Sequence, residues 1–321
     1  MPEKQKVLVI TGPTATGKTA LSVELALRLG GEVISADSMQ IYRGMDIGTA
    51  KVTRAEMRGV PHHLLDVADP AEPWSVARWV DAAAVAAEEI FRRGRVPIIA
   101  GGTNLYIDSL LSGRDFAEAG GDGELRAALG AEYDRIGGEA FRAKLMSVDP
   151  ERGAKLHASD KKRLVRALEV YQLTGATISA HDARTRTLPP RWDSLRVALS
   201  FKNRETLYTR IDARVREMLR AGLIDEVRGL LAGELPPDGT AMQAIGYKEI
   251  VEHLSGACSA EEAEDAICRN SRRYAKRQLT WLRRDADLHW ILWDSLPDPV
   301  SAADQVCALW AEFCVSAGTI P

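Results

Sequence analysis

Cysteine is scarce in this sequence and poorly placed for metal or disulfide chemistry. Cys258, Cys268, Cys307 and Cys314 all lie in the last quarter, without a CxxC and without a closely spaced histidine. That pattern excludes a zinc site or a disulfide framework as the organising element, and the four read as small buried hydrophobes. No run approaches the roughly 18 uninterrupted apolar residues of a membrane span. The opening Met-Pro-Glu-Lys-Gln-Lys runs straight into a strand-like VLVITG with no signal-peptide core, so a cytoplasmic location is expected and no membrane. A strong charge of one sign is missing too: the net charge of −3 argues against a protein that coats nucleic acid non-specifically, although it hides local bias. Internal repeats and low-complexity tracts are absent.

What is present begins with size. A chain of 321 residues buries a full core, and such a length divides into two lobes because single cores stop growing at about 250 to 300 residues. From Lys6 the pattern gives a strand VLVIT, a Gly-rich turn, a helix from Thr19 to Leu29 with Leu21, Leu25 and Leu29 at helical spacing, and a strand EVISAD. A second helical stretch from about Ser75 to Arg93 closes on Gly94 and leads to the buried-strand run VPIIAGG. Alternating units of this kind specify an α/β fold with a doubly wound parallel sheet of the P-loop NTPase-like type. After Leu111 the chain turns Gly- and Asp-rich and then helical to about Leu188, before LRVALSF resumes the sheet and a long amphipathic helix, ETLYTRIDARVREMLRAGLIDEVRGLLAG, is followed by more helices. The expected organisation is a core in two parts, 1–114 and 191–321, around an inserted all-helical domain, 115–190.

The segment Gly12, Pro13, Thr14, Ala15, Thr16, Gly17, Lys18, Thr19 matches G-x-x-x-x-G-K-[ST] and stands where that motif works, after an apolar strand and at the start of a helix. Backbone N–H groups and the helix N-terminus form an anion nest there, Lys18 reaches the terminal phosphates and Thr19 can ligate Mg²⁺. The second strand ends in Asp37, Ser38, Met39 and Gln40 at the carboxyl edge of the sheet, so Asp37 is expected near the phosphates, either as a base or as a turn cap. Gly101-Gly102-Thr103-Asn104 replaces the apolar run plus Asp of a Walker B element, which counts against a motor ATPase. Two basic groups stand out: Arg269, Arg272, Lys276 and Arg283 on one helical face opposite Cys268, Ala275, Leu279 and Leu282, and Lys161, Lys162, Arg163 and Arg166 in the inserted segment. Beside a phosphate site they fit a long polyanion, although a charged face is also what solvated helices show. His62-His63 reads as a loop or site lining, and Trp281, Trp290 and Trp293 read as core.

Taken together, GPTATGKTAL, ISADSMQIYRGMDIGTAK, PHHLLD, PIIAGGTNLYI, RALEVYQLTG, AIGYKEI and RYAKRQLTWLRR closely resemble the tRNA dimethylallyltransferases, also called tRNA isopentenyltransferases, of the IPP transferase family. The resemblance runs from about Val7 to Arg284. It implies transfer of the dimethylallyl group of dimethylallyl diphosphate to N6 of adenosine 37 in tRNA, giving N6-dimethylallyladenosine, with the P-loop and Mg²⁺ on the leaving diphosphate. By the same resemblance Asp37 is the general base, Arg214 contacts the diphosphate and Thr103 lines the channel where donor and base meet. The tRNA anticodon stem-loop would be held by Asp37 to Gln40, by Lys161, Lys162, Arg163, Leu164 and Val165, by the stretch around Gln243, Gly246 and Lys248, and by Arg126, with Arg272 and Lys276 of the basic face added. The family pattern also implies a monomer without an obligate protein partner.

One departure touches this reading. The family usually has Gln-Arg where this chain has Lys162-Arg163, and a lysine holds a phosphate but accepts no hydrogen bond. Two other functions compete on the residues alone: a P-loop small-molecule kinase, which would release ADP from ATP, and a non-catalytic, nucleotide-switched RNA-binding protein, which would bind an anticodon stem-loop and leave it unmodified.

Overall fold

The computed structural model describes residues 4–113, 121–233, 235–237 and 239–316. It contains two compact units, Met1–Leu110 with Trp192–Pro321, and Leu111–Arg191. The boundary expected at 114/115 falls outside the described residues.

The first unit is built on a parallel sheet of six strands: β1 (Lys6–Thr11), β2 (Gly31–Ser35), β3 (His62–His63), β4 (Val96–Gly101), β5 (Asp193–Phe201) and β6 (His289–Trp293), in the order β3-β2-β4-β1-β5-β6. Val7, Leu8, Val9 and Ile10 have no exposed surface, as expected of a central parallel strand covered on both faces. Helices α1 (Lys18–Leu29), α2 (Arg54–Met57), α3 (Val76–Arg92) and α4 (Asn104–Leu111) connect or follow the first four strands. Leu21 and Leu25 of α1 are fully buried, and the helix stops at Gly30, whose φ of 63° lies in the left-handed region that glycine adopts freely. The chain leaves β1 towards β2 but leaves β4 towards β5, so these two neighbouring strands part at their carboxyl ends, the switch point where such sheets bind ligands.

Five helices form the second unit: α5 (Gly123–Ile136), α6 (Gly138–Val148), α7 (Pro150–Lys155), α8 (Lys161–Thr174) and α9 (Ile178–Arg186). They enclose their own core of Leu129, Phe141, Leu145, Leu156, Leu164, Val165, Ala167 and Leu168. At its margin Glu169, with no exposed surface, accepts hydrogen bonds from Arg126 Nε and Nη2 at 3.0 and 2.9 Å and from the Asp122 N–H at 3.0 Å, and pairs with Arg166 at 3.0 Å. Burial pulls this carboxyl up, but the hydrogen bonds from the two guanidinium groups prevail and hold it below its ordinary range.

The rest of the chain returns to the first unit as α10 (Arg204–Arg220), α11 (Leu223–Ala232), α12 (Tyr247–Leu254), α13 (Ala260–Leu282) and α14 (Pro299–Ser316). Three expectations need correction. The long helix after β5 is two helices, because Gly222 at φ 102° breaks it. His62-His63 is an edge strand, not a loop, with His63 Nε2 2.7 Å from the buried Glu32 carboxylate. Of the tryptophans, Trp293 is buried, Trp290 is half-buried and Trp281 is 41% exposed with its indole N–H on Asp108 at 2.6 Å, so Trp281 is not core.

The segment after β2 is held by a single carboxylate. Glu226 of α11 accepts the N–H groups of Asp46, Ile47 and Gly48 at 3.0, 2.7 and 3.1 Å and the Tyr247 hydroxyl at 2.6 Å. Gly48 is required here, since a Cβ would lie 2.4 Å from the Tyr247 ring. Three distant blocks of sequence, MDIGTAK, LIDEV and AIGYKEI, thus meet on one acid. Replacing Glu226 by Ala is expected to lower the unfolding free energy by about 2 to 3 kcal/mol, and Tyr247→Phe by about 1 kcal/mol, in urea titrations. A Glu226→Ala protein within about 0.5 kcal/mol of the parent would show that water replaces the carboxylate without loss.

Candidate active site

The P-loop connects β1 to α1 through residues that only this backbone path explains. Gly12 (φ 141°) and Gly17 (φ 86°) take conformations that suit glycine, and a Cβ on Gly12 would stand 2.4 Å from the Leu199 carbonyl oxygen of β5. Ala15 is also left-handed, at φ 64°. Its carbonyl accepts Arg210 Nε at 3.1 Å, the Thr16 carbonyl accepts the Trp293 indole N–H at 2.9 Å, and the Pro13 carbonyl accepts Thr16 Oγ1 and Lys18 Nζ at 2.8 Å each. With these carbonyls satisfied, the loop amides other than that of Thr14, which donates to Gln278 Oε1 at 3.3 Å, and the N-terminus of α1 are left to an anion.

Lys18 and Arg214 supply charge to that anion. Burial, then the proximity of Arg214, push the Lys18 ammonium down to about 8, against the opposing pull of Asp37. Burial likewise depresses Arg214, and of the acids working against it Asp37 acts most strongly. Asp37 follows β2 directly; its Oδ1 accepts the Met39 N–H at 2.9 Å and the Gln40 N–H at 3.4 Å, so it caps a turn and presents its carboxylate to the two cations at once. Two tyrosines also feel the charge of Asp37. Burial and then Tyr42 and Asp37 raise Tyr106, while burial and then Asp37 push Tyr274 up to about 12, so both remain neutral phenols. Tyr106 stacks on the fully buried Trp79 with ring centroids 4.9 Å apart. The result is a carboxylate within electrostatic reach of two cations and two neutral phenols.

The third wall comes from the end of β4. The Ser38 N–H donates to Thr103 Oγ1 at 3.1 Å, and Thr103 N–H donates to the Ala36 carbonyl at 3.1 Å, which fastens the ends of β2 and β4 together. A Cβ on Gly101 would fall 2.1 Å from the Ala36 oxygen, so the glycine that stands where a Walker B element is otherwise found is there for backbone approach. Thr19 opens α1 with an exposed side chain. Among the described residues no group of three or more His, Cys, Asp or Glu could hold a metal ion. A lone hydroxyl fits Mg²⁺, which keeps waters and takes most of its other ligands from phosphate oxygens.

Asp37, Lys18, Arg214, Thr103 and the loop are therefore gathered in one place. Other expected residues are not free for the role expected of them. Leu164 and Val165 are 0% and 4% exposed in the core of the helical unit, so their side chains shape α8 and offer no surface to RNA. Arg126 is spent on Glu169, and Arg272 is bound to Asp212 at 2.5 Å, which makes it a brace between α13 and α10. The Gln40 amide accepts Ser35 Oγ at 3.2 Å and donates to the Thr49 and Ala50 carbonyls at 3.2 and 3.3 Å, a structural commitment. Lys162, Arg163, Gln243, Lys248 and Lys276 are exposed, Lys161 is paired with Asp134 at 2.6 Å, and Gly246 is a buried helix start at φ 98°. Sequence reasoning missed Arg210, Trp293, Tyr106, Tyr274 and Gln278. For Gln278 a signal existed, since it is a polar residue on the apolar face between Ala275 and Leu279.

This fold and site define a P-loop α/β enzyme that handles a phosphate ester beside a carboxylate. Comparison with known proteins narrows the class. The IPP transferase family model matches residues 40–285, and an isopentenyl transferase model matches residues 5–69. The chain is 49% identical over 288 residues to a tRNA dimethylallyltransferase of Symbiobacterium thermophilum, covering 90% of this chain and 89% of that protein. It is 48% identical over 290 residues to tRNA dimethylallyltransferase 1 of Pelobacter propionicus, at 90% and 93% coverage. Among solved structures it is similar to the full-length tRNA isopentenylpyrophosphate transferase of Bacillus halodurans, with a TM-score of 0.73 and 41% identity over 98% of both chains. It is also similar to a eukaryotic dimethylallyltransferase described as acting on tRNA, with a TM-score of 0.82 and 29% identity over 97% of this chain and 80% of that one. The chain belongs to the IPP transferase family.

The Lys18 shift gives the site a pH signature. Between about 8 and the ordinary 10.5 the unfolded chain holds a proton that the folded one has lost, so this group makes the free protein more stable as pH rises through that window. A bound diphosphate reverses the preference by favouring the ammonium. Binding is then expected to take up a proton above about pH 8, with affinity falling as pH rises, while uptake is near zero well below that value. Titration calorimetry in buffers of different ionisation heat measures this directly. Flat affinity and no proton uptake across the window would remove Lys18 from the anion site.

Proposed function

We propose that this enzyme transfers the dimethylallyl group of dimethylallyl diphosphate to N6 of adenosine 37 in the anticodon loop of tRNA, releasing diphosphate. The observation that carries the reading is the position of Asp37, in electrostatic contact with both Lys18 and Arg214 and with two neutral tyrosines. The names of the relatives support the same activity.

The chemistry follows from the residues. The allylic C–O bond breaks when the negative charge gathering on the diphosphate is met by fixed positive groups, here Lys18, Arg214 and the loop amides. Mg²⁺, held by the Thr19 hydroxyl and the diphosphate, would add to that neutralisation. The adenine amine is a weak nucleophile because its lone pair is delocalised into the ring. Asp37 accepts its proton as the new C–N bond forms. Tyr106 and Tyr274 offer aromatic surface near Asp37 to the apolar five-carbon group. The base leaves its stack to reach this point, and Ser38, Met39, Thr103, Gln243, Lys248, Lys276 and the exposed Lys162 and Arg163 are the contacts assigned to the tRNA. Such a substrate places the enzyme in the cytoplasm.

The test incubates the protein with Mg²⁺, radiolabelled dimethylallyl diphosphate and unmodified tRNA carrying adenosine at positions 36 and 37. Label in the RNA is expected; no label, or ADP release from ATP with a hydroxyl substrate, would overturn the assignment. Asp37→Asn is the informative variant, because an asparagine oxygen still caps the Met39 turn while losing the basicity. Its turnover is expected to fall by about 10² to 10⁴, with tRNA affinity within a fewfold of the parent. Turnover within about fivefold would remove the base role from Asp37.

A further inference from the structure

One buried polar side chain stands between the loop that would hold the leaving group and the strand end that would hold the acceptor. Gln278, 5% exposed on α13, accepts the Thr14 N–H of the P-loop on its Oε1 at 3.3 Å and donates from its Nε2 to the Gly102 carbonyl at 2.8 Å. Its backbone carbonyl accepts Asn104 Nδ2 at 3.4 Å, and Asn104 Oδ1 accepts Thr11 Oγ1 at 3.2 Å, so β1, the P-loop, the end of β4 and α13 close into one hydrogen-bonded ring. Tyr274, one turn earlier on the same helix, lies close enough to Gln278 and Thr103 for both to act on its phenol.

Burying an amide on a helix face otherwise made of Ala275, Leu279 and Leu282 is costly unless both of its ends are used. Here both ends are used, one on the P-loop and the other at the end of β4. The neighbouring glycine is shaped to allow it: a Cβ on Gly102 would lie 2.4 Å from Gln278 Nε2. An apolar residue would fill the same volume without joining the two walls.

We infer that Gln278 is a positioning residue that fixes the distance between the diphosphate-holding loop and the Gly102-Thr103 ledge, so that donor carbon and acceptor nitrogen meet in register. This rests on the function proposed above. The transfer joins a donor carbon to an acceptor nitrogen, and misplacing the partners by about 1 Å costs on the order of 10²-fold in rate. The bridge acts on catalysis through its two hydrogen bonds and touches neither substrate.

The experiment has three readouts on the full-length protein: calorimetric affinity for inorganic diphosphate with Mg²⁺, affinity for an unmodified anticodon stem-loop RNA, and kcat and KM for transfer. Gln278→Leu removes both hydrogen bonds, and Gln278→Asn keeps an amide too short to span them. Each is expected to weaken diphosphate about tenfold and to lower kcat about 30- to 100-fold, with RNA affinity and the KM for RNA within threefold. Gly102→Ala, which expels the amide from the other side, is expected to give the same loss of kcat, and the double variant Gly102→Ala/Gln278→Leu no further loss. Failure of the parent protein to bind diphosphate would overturn the reading of the loop, whatever Gln278 does. A parent that binds and transfers, alongside Gln278 variants that melt lower but show parental diphosphate affinity and kcat per folded molecule, would reduce Gln278 to a packing residue. Additive losses in the double variant would likewise break the link to Gly102.

Discussion

A nest of backbone N–H groups converging on one point is unfavourable when it has nothing to bind, and most of this fold answers that constraint. The loop dipoles repel one another, and Ala15 in the left-handed region costs about 1 kcal/mol more. What holds the curve is a set of donors to its outward carbonyls: Arg210 to Ala15, Trp293 to Thr16, and Thr16 and Lys18 to Pro13. Arg210 comes from α10, Trp293 from β6 and the Gln278 acceptor from α13, all more than 190 residues further along the chain. The return of the chain to the sheet after the helical unit is thereby explained: the second half of the core is the brace for the loop in the first half.

The same economy accounts for much of the basic character of the sequence. Charge clusters near a phosphate motif read naturally as polyanion contacts, yet Arg272 is tied to Asp212 and Arg126 to Glu169, and Lys51 holds the Tyr42 carbonyl at 2.7 Å. A guanidinium bound to a half-buried carboxylate stiffens the scaffold and leaves little of its charge to RNA. Exposed cations such as Lys162, Arg163, Lys276 and Lys248 are what the surface offers to a specific RNA ligand at a chain charge of −3.

Local chemistry was legible in the sequence where one segment contains all of it. The strand, glycine turn and helix around Gly12 to Thr19 announce themselves, as do the buried run of β4 and the helical character of 123–186, because periodicity and turn chemistry are short-range properties. The break at Gly222 was hidden by an amphipathic pattern that continues across it, and β6 by its brevity and by two tryptophans that suit a helix equally well. Site residues whose role depends on a partner far away in sequence were the hardest to read. Trp293 is a brace only because Thr16 lies beside it, and although Gln278 breaks an apolar face, nothing nearby in sequence says what it reaches.

Asp37 shows how the two kinds of information combine. Its place after β2 puts it at the carboxyl edge of the sheet, which sequence suffices to suggest, but its surroundings are drawn from α1, α4, α10 and α13. Lys18 is destabilised by burial and by Arg214, Arg214 by burial and by Arg210, and Asp37 works against both losses. A free site of this composition holds two cations against one carboxylate, so a positive charge is left over in a place poorly served by water. A dianionic or trianionic ligand removes that imbalance, and its departure restores it. The arrangement therefore favours the ligand whose negative charge is greatest at the end that sits in the loop, as a diphosphate becomes when its bond to carbon breaks, and it leaves Asp37 free to take a proton at that same moment.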